Sequence, residues 1–367
     1  MEEEMRSLKK NDTWKLVDRP DGVKLVGCKW VFKFKEGILW VEKPRYKARL
    51  VGFTQREGVN FNEIYSPVVK HRSIRIVLSI VAHCNLELEQ LDVKTAFLYG
   101  SLDETIYMSQ PKCFISGNAE NTVYLLNKSL YGLKQSPRQW YKRFDEFMLS
   151  CDFKRSSYDW CIYYKYWDNG SAIYLLLYVD DMLIASDIMQ LISDIKEQLN
   201  AQFEMKDLGD AKKILGMEIV RDRGKGTLFL NQTNYLCKLV KKFDMSNAKS
   251  VLIPLAQHFK ITNEQCPKNE SELEHMSSVP YANAVGCLMY SMVCTRPDIA
   301  HSVSMVSRFM SKPGKTHWDA VKWVLRYVKG SVGKGLMFGK ANAHSDIIMG
   351  FVDSDFAGCL DSRKSQT

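Results

Sequence analysis

Four residues constrain this chain more than any others. Tyr178-Val179-Asp180-Asp181 sets two adjacent carboxylates between two apolar, β-prone runs, residues 173–179 and 182–185. Such runs read as the arms of a hairpin with the acids at its turn. An exposed turn with two aspartates is common and by itself means little. Here Leu175-Leu176-Leu177 precedes the acids, which reads as a central strand. Burying unpaired carboxylates is strongly unfavourable, so acids carried on such a strand hold a metal ion or stay solvated.

Neighbouring side chains on a strand point to opposite faces, so a metal site here needs another ligand. Asp92 supplies it. It ends the alternating segment 86–91, which reads as a strand, and Ala96-Phe97-Leu98 follows. Two strand-end carboxylate sites suit two divalent ions about 4 Å apart, which clamp the attacking and leaving oxygens of a phosphoryl transfer. Hard cations such as Mg²⁺ prefer carboxylate oxygens.

The rest of the chain narrows the classes. A length of 367 residues allows two or three domains at about 150 residues each. At 46% hydrophobic it is too apolar for a disordered chain. No apolar run approaches the roughly 20 residues of a membrane helix. The longest candidate, 172–184, is broken by Asp180 and Asp181. The first ten residues start acidic and lack an apolar stretch, so no secretory signal is expected. Fifty-one Lys and Arg against 42 Asp and Glu leave a charge of +9. That suits a polyanionic partner, although a merely soluble basic protein has the same balance. The ten cysteines include no C-x-x-C and no Cys/His cluster with zinc spacing. They read as reduced, mostly buried thiols of an intracellular protein.

Periodicity supplies the other elements. Lys29-Trp30-Val31-Phe32-Lys33-Phe34-Lys35 alternates apolar and basic residues, as a half-buried strand does. With Arg45-Tyr46-Lys47-Ala48-Arg49-Leu50-Val51 it forms a basic hairpin across a loop at 36–44, which grips phosphates or simply carries solvated lysines. Residues 73–83 and 188–203 have helical spacing. Ser136-Pro137 opens another helix, with Ser136 as N-cap. Trp140, Phe144, Phe147 and Met148 form its stripe, while Arg138, Lys142 and Arg143 lie off it, facing nucleic acid or solvent. Strands are expected at 215–220, 227–230 and 345–353. Helices are expected at 234–243, 281–293, 299–310 and 316–328, and a polar linker at 263–278.

Several ordered segments carry a resemblance to copia-type retrotransposon reverse transcriptases. Gln90-Leu91-Asp92-Val93-Lys94-Thr95-Ala96-Phe97-Leu98-Tyr99-Gly100 is similar to their first catalytic motif, and Tyr178-Val179-Asp180-Asp181 to their second. Between them, Ser129-Leu130-Tyr131-Gly132-Leu133-Lys134-Gln135-Ser136-Pro137-Arg138-Gln139-Trp140-Tyr141 also resembles the family. So do the basic hairpin, Ser66-Pro67-Val68-Val69-Lys70, Leu215-Gly216-Met217-Glu218-Ile219 and Thr295-Arg296-Pro297-Asp298-Ile299-Ala300. The resemblance covers essentially the whole chain.

It implies an α+β right-hand polymerase: fingers and an antiparallel palm over 1–230, then a mostly helical thumb or connection over 231–344. Asp92, Asp180 and Asp181 would hold two Mg²⁺, with Mn²⁺ as a substitute, and RNA template, DNA primer and dNTPs would be the partners. Lys47 and Arg49 look like triphosphate contacts. Phe97 resembles the side chain that excludes a 2′-hydroxyl, and Tyr131 and Gly132 the lining of the nucleotide pocket. Lys134 and Arg138 look like contacts to template or phosphate, Leu215 and Gly216 like the primer grip, and Lys206 like a general-acid lysine. Other Pol and Gag parts of the element, cytoplasmic particles and later nuclear access complete what the family implies. Residues 345–367 resemble the first strand of a ribonuclease H domain, with Asp353 as its first metal ligand. The other acidic ligands of that site are absent, so no ribonuclease H activity is expected.

This sequence also departs from the family. Members usually carry Ala-Lys between the residues matching Val51 and Gly52, and Glu-Gly where Lys112-Cys113 stands. Cys359 replaces an expected aspartate. A catalytically inactive, nucleic-acid-binding remnant is therefore the competing expectation. A metal-dependent phosphohydrolase using the same acids is a third.

Overall fold

The computed structural model describes residues 1–35, 44–116, 121–339 and 361–363. The loop at 36–43, the strand expected at 345–353 and Asp353 lie outside these residues. The chain divides into two compact units, Met1–Ser73 with Glu87–Asp210, and Ile74–Leu86 with Ala211–Thr367.

In chain order come α1 (Glu2–Lys10), β1 (Trp14–Asp18), β2 (Gly27–Lys35), β3 (Arg45–Phe53) and α2 (His71–His83). Then follow β4 (Glu87–Val93), β5 (Ser101–Met108), β6 (Thr122–Lys128), α3 (Ser136–Ser150), β7 (Lys154–Arg155) and β8 (Ile162–Tyr166). β9 (Ala172–Tyr178), β10 (Asp181–Ser186), α4 (Met189–Gln202) and β11 (Met205–Asp210) complete the first unit.

Its main sheet is antiparallel with strand order β11-β4-β10-β9-β8-β7, so β4 with Asp92 and β10 with Asp181 lie inside it, and Asp180 lies in the turn before β10. Leu91, Val93, Leu177 and Met182 are buried, and burial runs without a break over 175–177 of β9 and 182–186 of β10, as in strands covered on both faces. α3 contributes Trp140, Phe144 and Met148 to the core, and Phe144 meets Tyr163 of β8 edge-on at 5.7 Å. α4 adds Ile192, Ile195 and Leu199. Each such side chain contributes about 1.5–3 kcal/mol on full burial.

A three-stranded sheet, β1-β6-β5, and the hairpin β2–β3 complete the sheets of this unit. The hairpin ladder runs unbroken from Gly27↔Phe53 to Lys35↔Arg45. Its apolar side is covered toward one end: Leu50 is fully buried and Trp30 packs partly buried on the core that α1 shares. Toward the other end Phe32, Phe34 and Tyr46 are exposed, and Phe34 meets Tyr46 at 5.1 Å.

The second unit holds most of α2. It adds β12 (Lys213–Ile214), β13 (Met217–Asp222), β14 (Thr227–Asn231), α5 (Thr233–Lys242), α6 (Glu270–Ser277) and α7 (Tyr281–Cys294). α8 (Ala300–Ser307), α9 (Lys315–Lys329) and β15 (Gly335–Gly339) follow. The contact boundary falls at residue 210 rather than 230 because β12-β13-β14-β15 form one sheet. β15 has no counterpart among the sequence expectations: Gly335-Leu336-Met337-Phe338-Gly339 is short, and glycine-flanked. α5, α7, α8 and α9 share a core of Leu236, Leu239, Val285, Leu288, Val303, Val306, Val321 and Leu325.

Four local expectations are corrected. Ser136 is the first residue of α3 and Gln135 its cap, because the Ser136 hydroxyl donates to the carbonyl of Leu130 at 2.6 Å. Leu215 and Gly216 form the two-residue turn between β12 and β13, with φ of 49° and 72°, as a tight hairpin loop requires. The stretch 263–278 is not a linker. Asn269 caps α6, accepting the Glu272 amide at 2.9 Å, so its polar residues are caps. The cysteines are free but not mostly buried: among those described, only Cys161 and Cys294 are.

Among the described residues no helix is long and apolar enough to cross a membrane.

Candidate active site

Strand register builds the centre of the site. Asp92 on β4 is the Cα partner of Asp181 on β10 and of Lys206 on β11, while Asp181 also pairs with Tyr178 on β9. Directly opposed residues share a face. Tyr178, Asp181, Asp92 and Lys206 therefore stand in one row across four strands. The flanking residues Leu91, Val93 and Met182 point the other way, into the core. Both acids of the row are only partly buried, while Leu183 and Leu176, next along the same face, are buried.

Asp180 is held beside the row by backbone geometry. Val179 and Asp180 form the loop between β9 and β10, and Val179 has φ of 54°. A β-branched residue rarely occupies that region. Two bonds pin the loop. The Trp140 indole N–H donates to the Val179 carbonyl at 2.6 Å, and the Val93 amide donates to the Asp180 carbonyl at 2.8 Å. Backbone strain of this kind persists where the surroundings over-determine it. Buried Gln90 approaches the Asp181 carboxylate at 3.4 Å.

A second cluster joins the hairpin to the segment after β6. The Arg49 guanidinium lies 4.1 Å from the centre of the Tyr131 ring, and Phe97 meets that ring edge-on at 5.1 Å. Burial pushes the Tyr131 hydroxyl up to about 12; Arg49 opposes this, and the charges of Asp180 and Asp92 add to it. Gly132 has φ of 87°, and a Cβ there would meet Val51 at 2.3 Å, so only glycine fits. The Gly52 amide donates to the Tyr131 carbonyl at 2.8 Å.

A cavity of about 580 Å³ brings Asp92, Lys206 and Lys47 together. Beside it, Lys94 bonds Glu204 at 2.9 Å, an ion pair that holds the Glu204 carboxyl below its usual range.

Other predicted residues sit differently. Arg138 is paired with Glu63 at 2.6 Å, Lys142 with Asp103 at 3.9 Å, and Arg143 bonds Gln202 at 3.0 Å. These partly exposed contacts are weak enough to exchange for a phosphate. The Lys134 side chain is exposed, while its amide bonds Gln55 at 2.7 Å. Leu215 and Gly216 belong to the second unit, where the Tyr290 hydroxyl bonds the Leu215 carbonyl. Trp140, Gln90 and Glu204 escaped the sequence reading as site residues, since their roles depend on partners 39 to 110 residues away.

The donor chemistry of Asp92, Asp180 and Asp181, all carboxylate oxygen, fits a hard divalent cation. Two of them share a row and the third follows at the turn. Among the described residues, however, no three His, Cys, Asp or Glu side chains already converge closely enough to hold an ion.

Residues 11–257 match the family model of reverse transcriptase (RNA-dependent DNA polymerase). The chain is 52% identical, over its whole length and 28% of the relative, to the retrovirus-related Pol polyprotein from transposon TNT 1-94 of Nicotiana tabacum. It is 37% identical, over 96% of the chain and 23% of the relative, to that from transposon RE2 of Arabidopsis thaliana. A putative transposon Ty5-1 protein of Saccharomyces cerevisiae is 31% identical over 65% of the chain and 75% of its own length. The chain thus spans about a quarter of the plant polyproteins it matches. With the family motifs in order and two aspartates aligned across adjacent strands, the chain belongs to the reverse transcriptase family, as the reverse transcriptase region of a transposon Pol polyprotein.

Proposed function

We propose that this chain is an RNA-directed DNA polymerase module of a copia-type element. The observation that carries this is the row Asp181–Asp92–Lys206, of which Asp92 and Lys206 line a cavity together with Lys47. On this reading the hairpin β2–β3 belongs to the fingers, the six-stranded sheet is the palm, and the helices after β14 belong to the thumb or connection.

Asp92, Asp180 and Asp181 would hold two Mg²⁺. The chemistry such ions supply is activation of the primer 3′-hydroxyl and neutralisation of the triphosphate and departing pyrophosphate. The protein's own groups do the rest. Lys47 and Arg49 bind the triphosphate. Tyr131 and Gly132 line the nucleotide pocket, and Phe97 excludes a 2′-hydroxyl from beneath the sugar. As the 3′-oxygen bonds the α-phosphorus and the α–β phosphoanhydride breaks, Lys206 gives a proton to the leaving pyrophosphate. Template and primer lie along the basic surface that includes Lys134 and Arg138, with Leu215 and Gly216 at the primer. The module works beside other Pol and Gag parts of the element, in cytoplasmic particles before the DNA reaches the nucleus.

A second reading, a folded remnant that binds nucleic acid without polymerising, draws support from the Ala-Lys absent between Val51 and Gly52. The test is Mg²⁺-dependent extension of oligo(dT) on poly(rA), beside Asp180→Asn/Asp181→Asn. Extension abolished in that control supports the polymerase. No extension, with salt-dependent primer–template binding retained, supports the remnant.

A further inference from the structure

Helix α1 precedes the region matched by the family model, which begins at residue 11. It packs Met5 and Leu8 into a core with Leu50 of β3. On the same buried side it carries an acid. Glu4 is only 7% exposed, and its Oε1 has no hydrogen-bond partner; buried Nε of Arg49 has none either. Glu4 lines the cavity that holds Lys47, Asp92 and Lys206. Burial raises its carboxyl above the usual carboxylate range, and the Leu50 amide, Arg49 and Lys47 offset only part of that rise.

An acid at this position works against folding. An alanine or leucine at residue 4 would suit a core-facing helix position better, because a buried carboxylate loses its hydration. Local rules broken without a structural gain mark functional sites. The gain here is electrostatic. Lys47 and Arg49, two residues apart on one strand, share a face and repel each other. Glu4 sets a negative charge within the field of both.

We propose that Glu4 is the counter-charge of the triphosphate site. From α1 it competes with an incoming polyphosphate for Lys47 and Arg49, and so sets how tightly nucleotide is held. This rests on the reading of Lys47 and Arg49 as triphosphate contacts.

The test is calorimetric titration of the full chain with inorganic tripolyphosphate, without divalent metal. Glu4→Gln keeps shape and removes charge, so affinity is expected to rise about tenfold or more, tenfold being the effect of one unit charge about 12 Å away at an effective dielectric of about 20. Glu4→Met, similar in volume, repeats the test if the amide is not tolerated. Glu2→Gln, exposed on the same helix and outside the cavity lining, changes affinity less than about twofold because solvent screens it. Unchanged or weaker binding in a Glu4→Gln protein with wild-type Tm overturns the proposal. Arg49→Ala and Lys47→Ala separate the two levels. If neither weakens binding, the triphosphate reading itself fails. If they weaken it and Glu4→Gln does not tighten it, only the counter-charge role fails.

Discussion

Asp298→Ala would strip the acidic partner from a guanidinium that is almost wholly inside the protein. Arg296 is 1% exposed. Its Nε and Nη2 donate to the two Asp298 oxygens, each at 2.8 Å. Nη1 donates to the Ser331 carbonyl at 2.9 Å and Nη2 to the Ser331 hydroxyl at 2.7 Å. The Tyr327 hydroxyl also bonds Asp298, at 2.8 Å. The substitution removes a bidentate, charge-assisted pair and one further acceptor, and leaves a buried cation with only neutral partners. Breaking a fully buried pair on one side costs about 3–5 kcal/mol. Asp298 is itself 35% exposed, so water replaces part of the lost carboxylate and about 2–3 kcal/mol is expected. That is still a large share of the roughly 5–15 kcal/mol that holds a domain folded. Asp298→Asn retains one acceptor oxygen and should cost about 2 kcal/mol. Arg296→Met/Asp298→Ala should recover most of the loss, since no charge remains buried. Urea unfolding at pH 7 measures each. The pH dependence has a defined sign. Burial works to raise the Asp298 carboxyl, but Arg296 and Tyr327 override it and hold it low. Its contribution is therefore complete above the unfolded value of about 3.9. It disappears as pH falls through the lower folded value, so wild type and Asp298→Ala should converge in acid. A loss under about 1 kcal/mol at pH 7 would place the pair with ordinary surface bridges and refute the reasoning.

Two further substitutions probe the site and a local departure from the family. Trp140→Phe removes the indole donor to Val179 and part of a fully buried ring; a cost of about 2–4 kcal/mol is expected. If the polymerase reading holds, kcat for primer extension should fall more than primer–template affinity, because the turn carries Asp180; an unchanged kcat would show that the bond does not position the acid. Cys113 stands at φ 71° in the turn closed by the Phe114 amide and Pro111 carbonyl, where a type II turn calls for glycine. Cys113→Gly should therefore raise stability by about 1 kcal/mol, read as a higher Tm; a lower Tm would mean the side chain offsets the strain.

Much of the centre was legible in the sequence for a local reason. The run before Asp92 alternates and those around Asp180-Asp181 are continuously apolar, and neither pattern needs a distant partner to be read. The same holds for the helices α2, α3, α4, α5, α7 and α9, whose apolar residues recur at helical spacing. Polar residues misled where their hydrogen-bond partner decided the outcome. Ser136 could cap a helix or bond Leu130, and the fold chose the second. The residues of 263–278 could be linker or caps, and Asn269 proved a cap. Thr295-Arg296-Pro297-Asp298 was visible as a motif, yet nothing local showed that Ser331 and Tyr327 complete the hydrogen bonds of its ion pair.

What the residues determined alone was the set of parts: carboxylates at strand ends, basic strands, and the ordered motifs of the family. What only the tertiary structure decided was who stands beside whom. Antiparallel register put Asp181 and Lys206 on either side of Asp92, and packing carried Glu4 of α1 toward Arg49 and Lys47. The physical reason is that side-chain facing follows from local backbone geometry, whereas pairing and burial depend on contacts that form only when distant segments close together.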